Sequence, residues 1–256
     1  MSTLAEIRAD VQANWPDNYH SDNLDNDKTD EYINLAQRWV CRTHNFTWME
    51  QEIYRSTVDG QRQYNLPTAD DSNWTGVNSG TVRKYKTEIE NGVDLLDHNS
   101  YRVKLTKIFK SDIKNRKTFK NTTASGTPTH YCMQEEYIEL WKLPDHSYNN
   151  GSAWTLYLMF YGYLADLSSS NTTNAITNQY PEVLEYYATA LGYRFGEDEE
   201  KEQYWLQRAA QVLGEMITED NQKKLGTIEE GQRPAPGQSI GGEEDLSLLD
   251  LKAHYE

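Results

Sequence analysis

Long apolar runs are missing from this sequence. No stretch approaches the ~20 consecutive apolar residues of a membrane-spanning helix, and the opening residues lack the order of a secretory leader. Cysteine is scarce: only Cys41 and Cys132 occur, far apart. That excludes a disulfide-rich secreted scaffold and fits a reduced compartment. Positive charge is short as well. Lys and Arg total 25 against 40 Asp and Glu, a formal net charge of −15 at pH 7. Such a balance argues against a general duplex-binding protein, whose affinity comes from neutralising phosphates. Catalytic signatures are also lacking, with no Gly-rich phosphate loop, no G-x-S-x-G and no H-E-x-x-H. His20, His44, His98, His130, His146 and His254 are scattered, none at a recognisable spacing from a nucleophile. The expectation is a protein that is not an enzyme and holds no cofactor or metal. The sequons at Asn45, Asn73, Asn121, Asn150 and Asn171 are put down to a composition rich in Asn, Ser and Thr.

Aromatics are plentiful by contrast. With 18 Tyr and 7 Trp, many rings must lie in surfaces or interfaces, because amphipathic rings suit contacts that are half apolar and half wet. Trp15, Trp39, Trp141 and Trp205 are the candidate interface anchors, with core packing the simpler reading for Trp39 and Trp205.

The clearest periodicity runs from Tyr180 to Met216. Pro181 suits a first helical position. Val183, Leu184, Tyr187, Ala188 and Leu191 then follow at the spacing of one helix face. Gly196 and the charged run at 197–202 mark a kink or turn. Beyond it Leu206, Ala209, Val212, Leu213 and Met216 resume the stripe, so a helical hairpin or a broken helix is expected. A similar pattern occurs near the N-terminus. Residues 2–13 read as an amphipathic helix with Leu4, Ile7 and Val11 on one side, ended by Trp15-Pro16. After a polar loop over 17–28, Thr29 is the expected N-cap of a helix reaching about His44. Its buried stripe is Ile33, Ala36, Trp39 and Val40. The two chain ends are therefore expected to pack together, with everything between them as an excursion.

That excursion reads as β. Residues 54–57 and 61–66 flank Val58-Asp59-Gly60, a hairpin pattern, and Pro67 closes the second run. Strands are expected at 81–90 and 101–109, separated by Asn91-Gly92 and a turn at 97–100. A strand pair at 129–135 and 136–143 follows Gly126-Thr127-Pro128. Residues 154–163 are apolar on both alternating faces, which places them at the centre of a sheet covered on both sides. Residues 168–178 read as a returning loop. From 218 to 242 the glycines and prolines are too dense for a packed element, and an extended arm is expected. It ends in the apolar cluster Leu246, Leu248, Leu249 and Leu251, suited to a neighbouring subunit or a partner protein.

The fold class expected is α+β. A helical bundle is drawn from residues 1–50 and 168–217, with a β-rich insertion at 51–167 and a C-terminal arm at 218–256. One stretch opposes the overall charge. Arg102, Lys104, Lys107, Lys110, Lys114, Arg116, Lys117 and Lys120 face the single acid Asp112. This basic ribbon suits an acidic partner, and the arm from Ile217 onward, with nine acids and four bases, is a ready complement. Weaker candidates have bland readings beside them. Cys41 and His44 share a helix face without a second ligand pair. His130 and Cys132 share a strand face without an orienting third group. The acidic pairs and runs at Glu135-Glu136, 197–200 and Glu243-Glu244 read as solvated faces.

The order of these pieces resembles the bacteriophage head-to-tail adaptor, or neck, proteins. The residues that carry the resemblance begin with a helix ending in Trp48-Met49-Glu50, then Thr57, Gly60-Gln61, Tyr64 and Leu66-Pro67. Gly126, Pro128 and Tyr131 follow, then Ile138, Leu140 and Leu143-Pro144. Tyr161, Tyr163 and Asp166-Leu167-Ser168 come next, and Tyr180-Pro181 with Tyr186, Tyr187, Ala188 and Gly192 closes the series. The resemblance implies a ring of about twelve copies beneath the portal, with the arm reaching the portal or neighbours. It implies a tail or nozzle protein on the other face, and DNA passing through the channel without specific binding or membrane contact. The Lys-rich stretch between residues 81 and 123 and the long arm depart from the pattern. Two other classes stay open on the residues alone: a carbohydrate-binding β module of a tail component, and a cell-wall hydrolase with paired carboxylates.

Overall fold

The computed structural model of the chain describes residues 2–16, 25–69, 71–77, 82–109, 111 and 124–226. These form five helices and several sheets, a mixed α+β architecture. Two units are distinguished, Met1–Ile217 and Thr218–Glu256.

In the first unit, helix α1 (Leu4–Ala13) opens with a capping box. The Thr3 hydroxyl accepts from Glu6 N, and the Glu6 carboxylate accepts from Thr3 N at 2.8 Å, satisfying two otherwise orphaned donors. Leu4, Ile7 and Val11 are buried, as their spacing predicts. Helix α2 (Asn26–Thr43) starts earlier than expected, because Asp25 and not Thr29 is its N-cap. The Asp25 carboxylate accepts from Lys28 N at 2.8 Å and also complements the helix dipole. Thr29 lies inside the first turn, its hydroxyl donating to Asp25 O at 2.8 Å. Ile33, Ala36, Trp39 and Val40 are buried.

The returning stretch 168–178 is not all loop. Helix α3 (Ala175–Gln179) is capped by Asn174, whose side chain accepts from Ile176 N and Thr177 N. Helix α4 (Pro181–Phe195) has proline in its opening positions and buries Val183, Leu184, Tyr187 and Ala188, while Leu191 is half-buried. It runs antiparallel to α2. The Trp39 ring near the end of α2 stacks on Tyr187 at 4.4 Å, whereas Tyr32 meets Trp15 edge-on. Trp15 in turn donates to Thr189 O at 3.1 Å, and Tyr193 Oη donates to Asn14 O at 2.7 Å. Helices from before and after the β-rich part thus share one core. The stripe then breaks at Gly196 and at Glu197, whose φ of 58° is left-handed. Helix α5 (Glu199–Gly226) follows. It folds back so that Trp205 meets Tyr186 at 5.5 Å and Arg194 pairs with Glu202 at 2.6 Å. Ala209, Leu213 and Met216 are buried.

In the second unit, Thr218 to Gly226 continue α5, where an extended arm was expected. Pairs one turn apart, Glu219–Lys223 and Asp220–Lys224, both at 2.8 Å, support this helix end. The remainder of the expected arm, including Leu246, Leu248, Leu249 and Leu251, lies outside the described residues.

Between the helices the chain builds two main sheets. Strands β1 (Glu50–Ser56), β3 (Thr75–Gly76), β4 (Tyr85–Leu96), β5 (Arg102–Lys104) and β11 (Thr155–Gly162) form one, in the order β3-β1-β11-β4-β5. Strands β2 (Gln63–Asn65), β6 (Thr106–Lys107), β8 (His130–Met133) and β9 (Tyr137–Trp141) form the other, in the order β2-β9-β8-β6. Short β7 (Ser125–Gly126) and β10 (Leu143–Pro144) pair in parallel. Ile53, Val93, Leu95, Leu156, Leu158 and Phe160 from the first sheet share a buried cluster with Tyr64, Tyr131, Ile138 and Leu140 from the second.

Four expectations change here. β1 and β2 are not a hairpin: β1 pairs with β11 and β3, and β2 with β9. The turn between them carries the chain from one sheet to the other, and Tyr64 Oη holds it by bonding the Val58 and Gln61 backbone. Asn91-Gly92 is not a turn but part of β4, beside a register shift against β11. A Cβ at Gly92 would sit 2.5 Å from Met159 O, so glycine lets the irregular strand close on its neighbour. The expected strand 101–109 is split at buried Leu105 between β5 and β6, in different sheets. β11 is central as expected, yet only one face is fully buried: Thr155, Tyr157, Met159 and Tyr161 on the other are half-buried.

Helix α2 stops at Thr43, and a single 3-10 turn at Thr47–Met49 leads into β1. Lys86 from β4 closes the junction by donating to the carbonyls of Cys41 and His44, a cation on a helix C-terminus.

Candidate assembly surfaces

Most of the expected partner-binding ribbon, Lys110, Lys114, Arg116, Lys117 and Lys120, lies outside the described residues. Of the described members Lys104 is exposed, and the other two are already engaged. Lys107 is ion-paired with Glu88. Arg102 lies 3.3 Å from Asp94 and over the Tyr157 ring at 5.5 Å. Burial pushes the Asp94 carboxyl up from its ordinary value. Tyr157 also stacks on Tyr54, so these residues form a laced patch on the outer face of the larger sheet.

Burial corrects the anchor reading for Trp15 and Trp141 and agrees with core packing for Trp39. Trp15, Trp39 and Trp141 are buried, and Trp141 is covered by the Arg62 guanidinium at 5.0 Å. Trp205 is half-buried between Tyr186 and Tyr204. Among the described residues the exposed rings are others: Tyr54, Tyr101, Phe109, Tyr148, Phe195 and Tyr204. Nothing in their spacing separates them from the rest.

Neither cysteine site assembles as a metal or catalytic centre. Cys41 is buried, and burial pushes its thiol up to about 11. Cys132 packs with Ile108 and Trp141 and accepts from Gln134 Nε2 at 2.9 Å. The His130 ring lies 2.8 Å from Thr129 Oγ1. Among the described residues no group of three or more His, Cys, Asp or Glu could hold a metal ion. Glu135, Glu136, Glu197, Glu199 and Glu200 are exposed, as solvated faces are, and Glu243-Glu244 lies outside the described residues.

One feature was not legible beforehand. A groove of about 1130 Å³ opens between the second half of α2, the residues Val82 to Lys84 just before β4 and the segment from Tyr163 to Ala175. Its lining holds Arg38, Arg42, Arg83 and Lys84 against one carboxylate, Asp166. Arg38 is paired with Asp166. Arg83 is half-buried, donates Nη1 to Trp48 O at 2.9 Å and has no carboxylate partner among the described residues. Burial lowers its pKa from the ordinary value. Its stem lies so close to β11 that a Cβ at Gly162 would stand 2.7 Å from Arg83 Cβ. Arg42 and Lys84 are exposed and make no ion pair among the described residues. In a chain of net charge −15, the groove is a local reversal of sign.

Among the described residues, the groove and the exposed rings are the surfaces left open to a partner. The chain belongs to the SU10 adaptor protein family, whose profile matches residues 2–232, a family of phage head-to-tail adaptors. No individually curated protein matches it significantly.

Proposed function

We propose that this chain is a structural virion protein that forms a ring beneath the portal, joins the capsid to the tail and lines the channel through which DNA leaves. The observation that carries this reading is the family match over residues 2–232, which takes in every described helix and both sheets. On this reading the helices from both chain ends form the ring-building bundle, the β-rich insertion projects from it, and the C-terminal segment reaches the portal or a neighbour. Leu246, Leu248, Leu249 and Leu251 would supply its apolar contact. Lys110, Lys114, Arg116, Lys117 and Lys120 would face an acidic partner, Lys107 being already paired with Glu88. The net charge of −15 suits a conduit, since a negative wall repels phosphate and lets DNA pass without adhering. The protein is made in the host cytoplasm and resides in the neck of the virion, with no enzymatic role.

The test is the mass of the purified chain, alone and mixed with the portal ring of the same phage. Recruitment of about twelve copies, lost on truncation after Gly226, is the expected result. A chain that ignores the portal but binds polysaccharide would overturn the reading in favour of a sugar-binding tail module.

A further inference from the structure

The basic groove and an acidic corner lie toward opposite ends of the same helix pair. Arg38 and Arg42 sit in the second half of α2, on either side in sequence of Trp39, which stacks on Tyr187 in α4. Because α4 runs antiparallel to α2, its end at Phe195 points the other way. The chain there turns through Gly196 into Glu197, Asp198, Glu199 and Glu200. Asp198 is tied internally to Lys201 at 3.1 Å. Glu197, Glu199 and Glu200 are exposed, and no ion pair engages them among the described residues. The corner is braced by the Arg194–Glu202 pair and by Glu202 N donating to Asp198 O.

We propose that the groove of one copy receives the acidic corner of a second copy, with Glu199 and Glu200 meeting Arg42 and Lys84. This deepens the adaptor reading, on which it rests, by naming a self-contact. Two arguments favour the corner over other occupants. The half-buried Arg83 guanidinium has lost water without gaining a carboxylate, and a carboxylate from outside would compensate it. The two patches are also complementary but distinct surfaces, so their contact is head-to-tail. A contact of that kind generates rings when its rotation closes.

Charge exchange tests it. The double variants Arg42→Glu/Lys84→Glu and Glu199→Lys/Glu200→Lys change only exposed side chains, so both should fold. Self-association is read by sedimentation velocity at roughly 50 mM and 500 mM salt, where screening differs severalfold. The expected result is association of the wild type at low salt and its loss at high salt. Each double variant alone should associate at least about tenfold more weakly, since each sets like charges against each other. An equimolar mixture of the two should regain assembly, because every groove then finds an opposite corner. The quadruple variant should regain it as well. Wild-type chains that stay monomeric at low salt, double variants that associate like wild type, or a mixture that stays apart would overturn the proposal. Recruitment to the portal is measured separately. Full recruitment of the double variants would defeat the groove contact and leave the adaptor reading intact, whereas wild-type chains that ignore the portal would defeat that reading.

Discussion

The indole of Trp15 occupies the space where residue 192 would carry a side chain. A Cβ at Gly192 would stand 2.2 Å from Trp15 Cε2, and the same ring donates to Thr189 O one turn earlier at 3.1 Å. The N-terminal segment is thereby seated on α4 through a contact that only glycine permits. Gly192→Ala should cost about 2 kcal/mol or more, because the buried ring has no room to retreat. Gly214 is the internal control. It is also helical, but a Cβ there meets nothing within 4 Å, so Gly214→Ala should gain about 0.5–1 kcal/mol from helix propensity alone. Urea unfolding of the two variants checks both, and equal effects would refute the steric account.

Tyr131 carries a buried hydroxyl without a hydrogen-bond partner among the described residues. Burial pushes this phenol up to about 12. An unsatisfied polar atom in a core costs stability, so Tyr131→Phe should raise it by about 1 kcal/mol. Thermal unfolding reads the change, and a lower Tm would show that the hydroxyl has a partner.

Both cysteines are buried and unpaired with each other, and the Cys41 thiol is pushed up to about 11. At pH 8 the native protein should therefore react with a thiol reagent about a hundredfold more slowly than the unfolded chain, which exposes two ordinary thiols. Rapid labelling of Cys41 in the native state would mean that the end of α2 opens readily.

Glu185 on α4 is half-buried, and burial raises its pKa above the ordinary 4.5 despite the hydrogen bond from Asn14. A carboxyl raised in the folded state favours folding when protonated. That contribution is complete below pH 4.5 and is lost as the pH rises through the folded value. Glu185→Gln keeps the acceptor for Asn14 and removes the charge. It should flatten the dependence of Tm on pH above 4.5 and raise Tm at neutrality. The charge of Arg208 opposes the shift, and a fall at neutrality would show that it fully compensates the carboxylate.

The parts of the fold written in local period were legible in the sequence. Leu4, Ile7 and Val11, or Val183, Leu184, Tyr187 and Ala188, announce their buried faces because each helix turn repeats the same choice. The sheets depend on distant partners. The residues of β1 find theirs in β11, at the far end of the insertion, so a short Gly-containing link between β1 and β2 was misread as a hairpin. Gly92 looked like a turn because a glycine that admits a neighbouring carbonyl and one that reverses the chain are the same letter. The candidate surfaces follow the same rule. Lys107 looked free until Glu88 was placed beside it, and the groove was invisible because Arg42 and Lys84 belong to different elements. Asp25 outdid Thr29 as a cap for a local reason that was available: a carboxylate serves both the amide and the dipole.

The crossing at Leu105 has a mechanical meaning. With β5 in one sheet, β6 in the other and the buried Leu105 side chain between them, the covalent chain itself acts as a stitch, and the turn after β1 is a second. Peeling one sheet from the other must therefore draw Leu105 out of the core and strain both crossings.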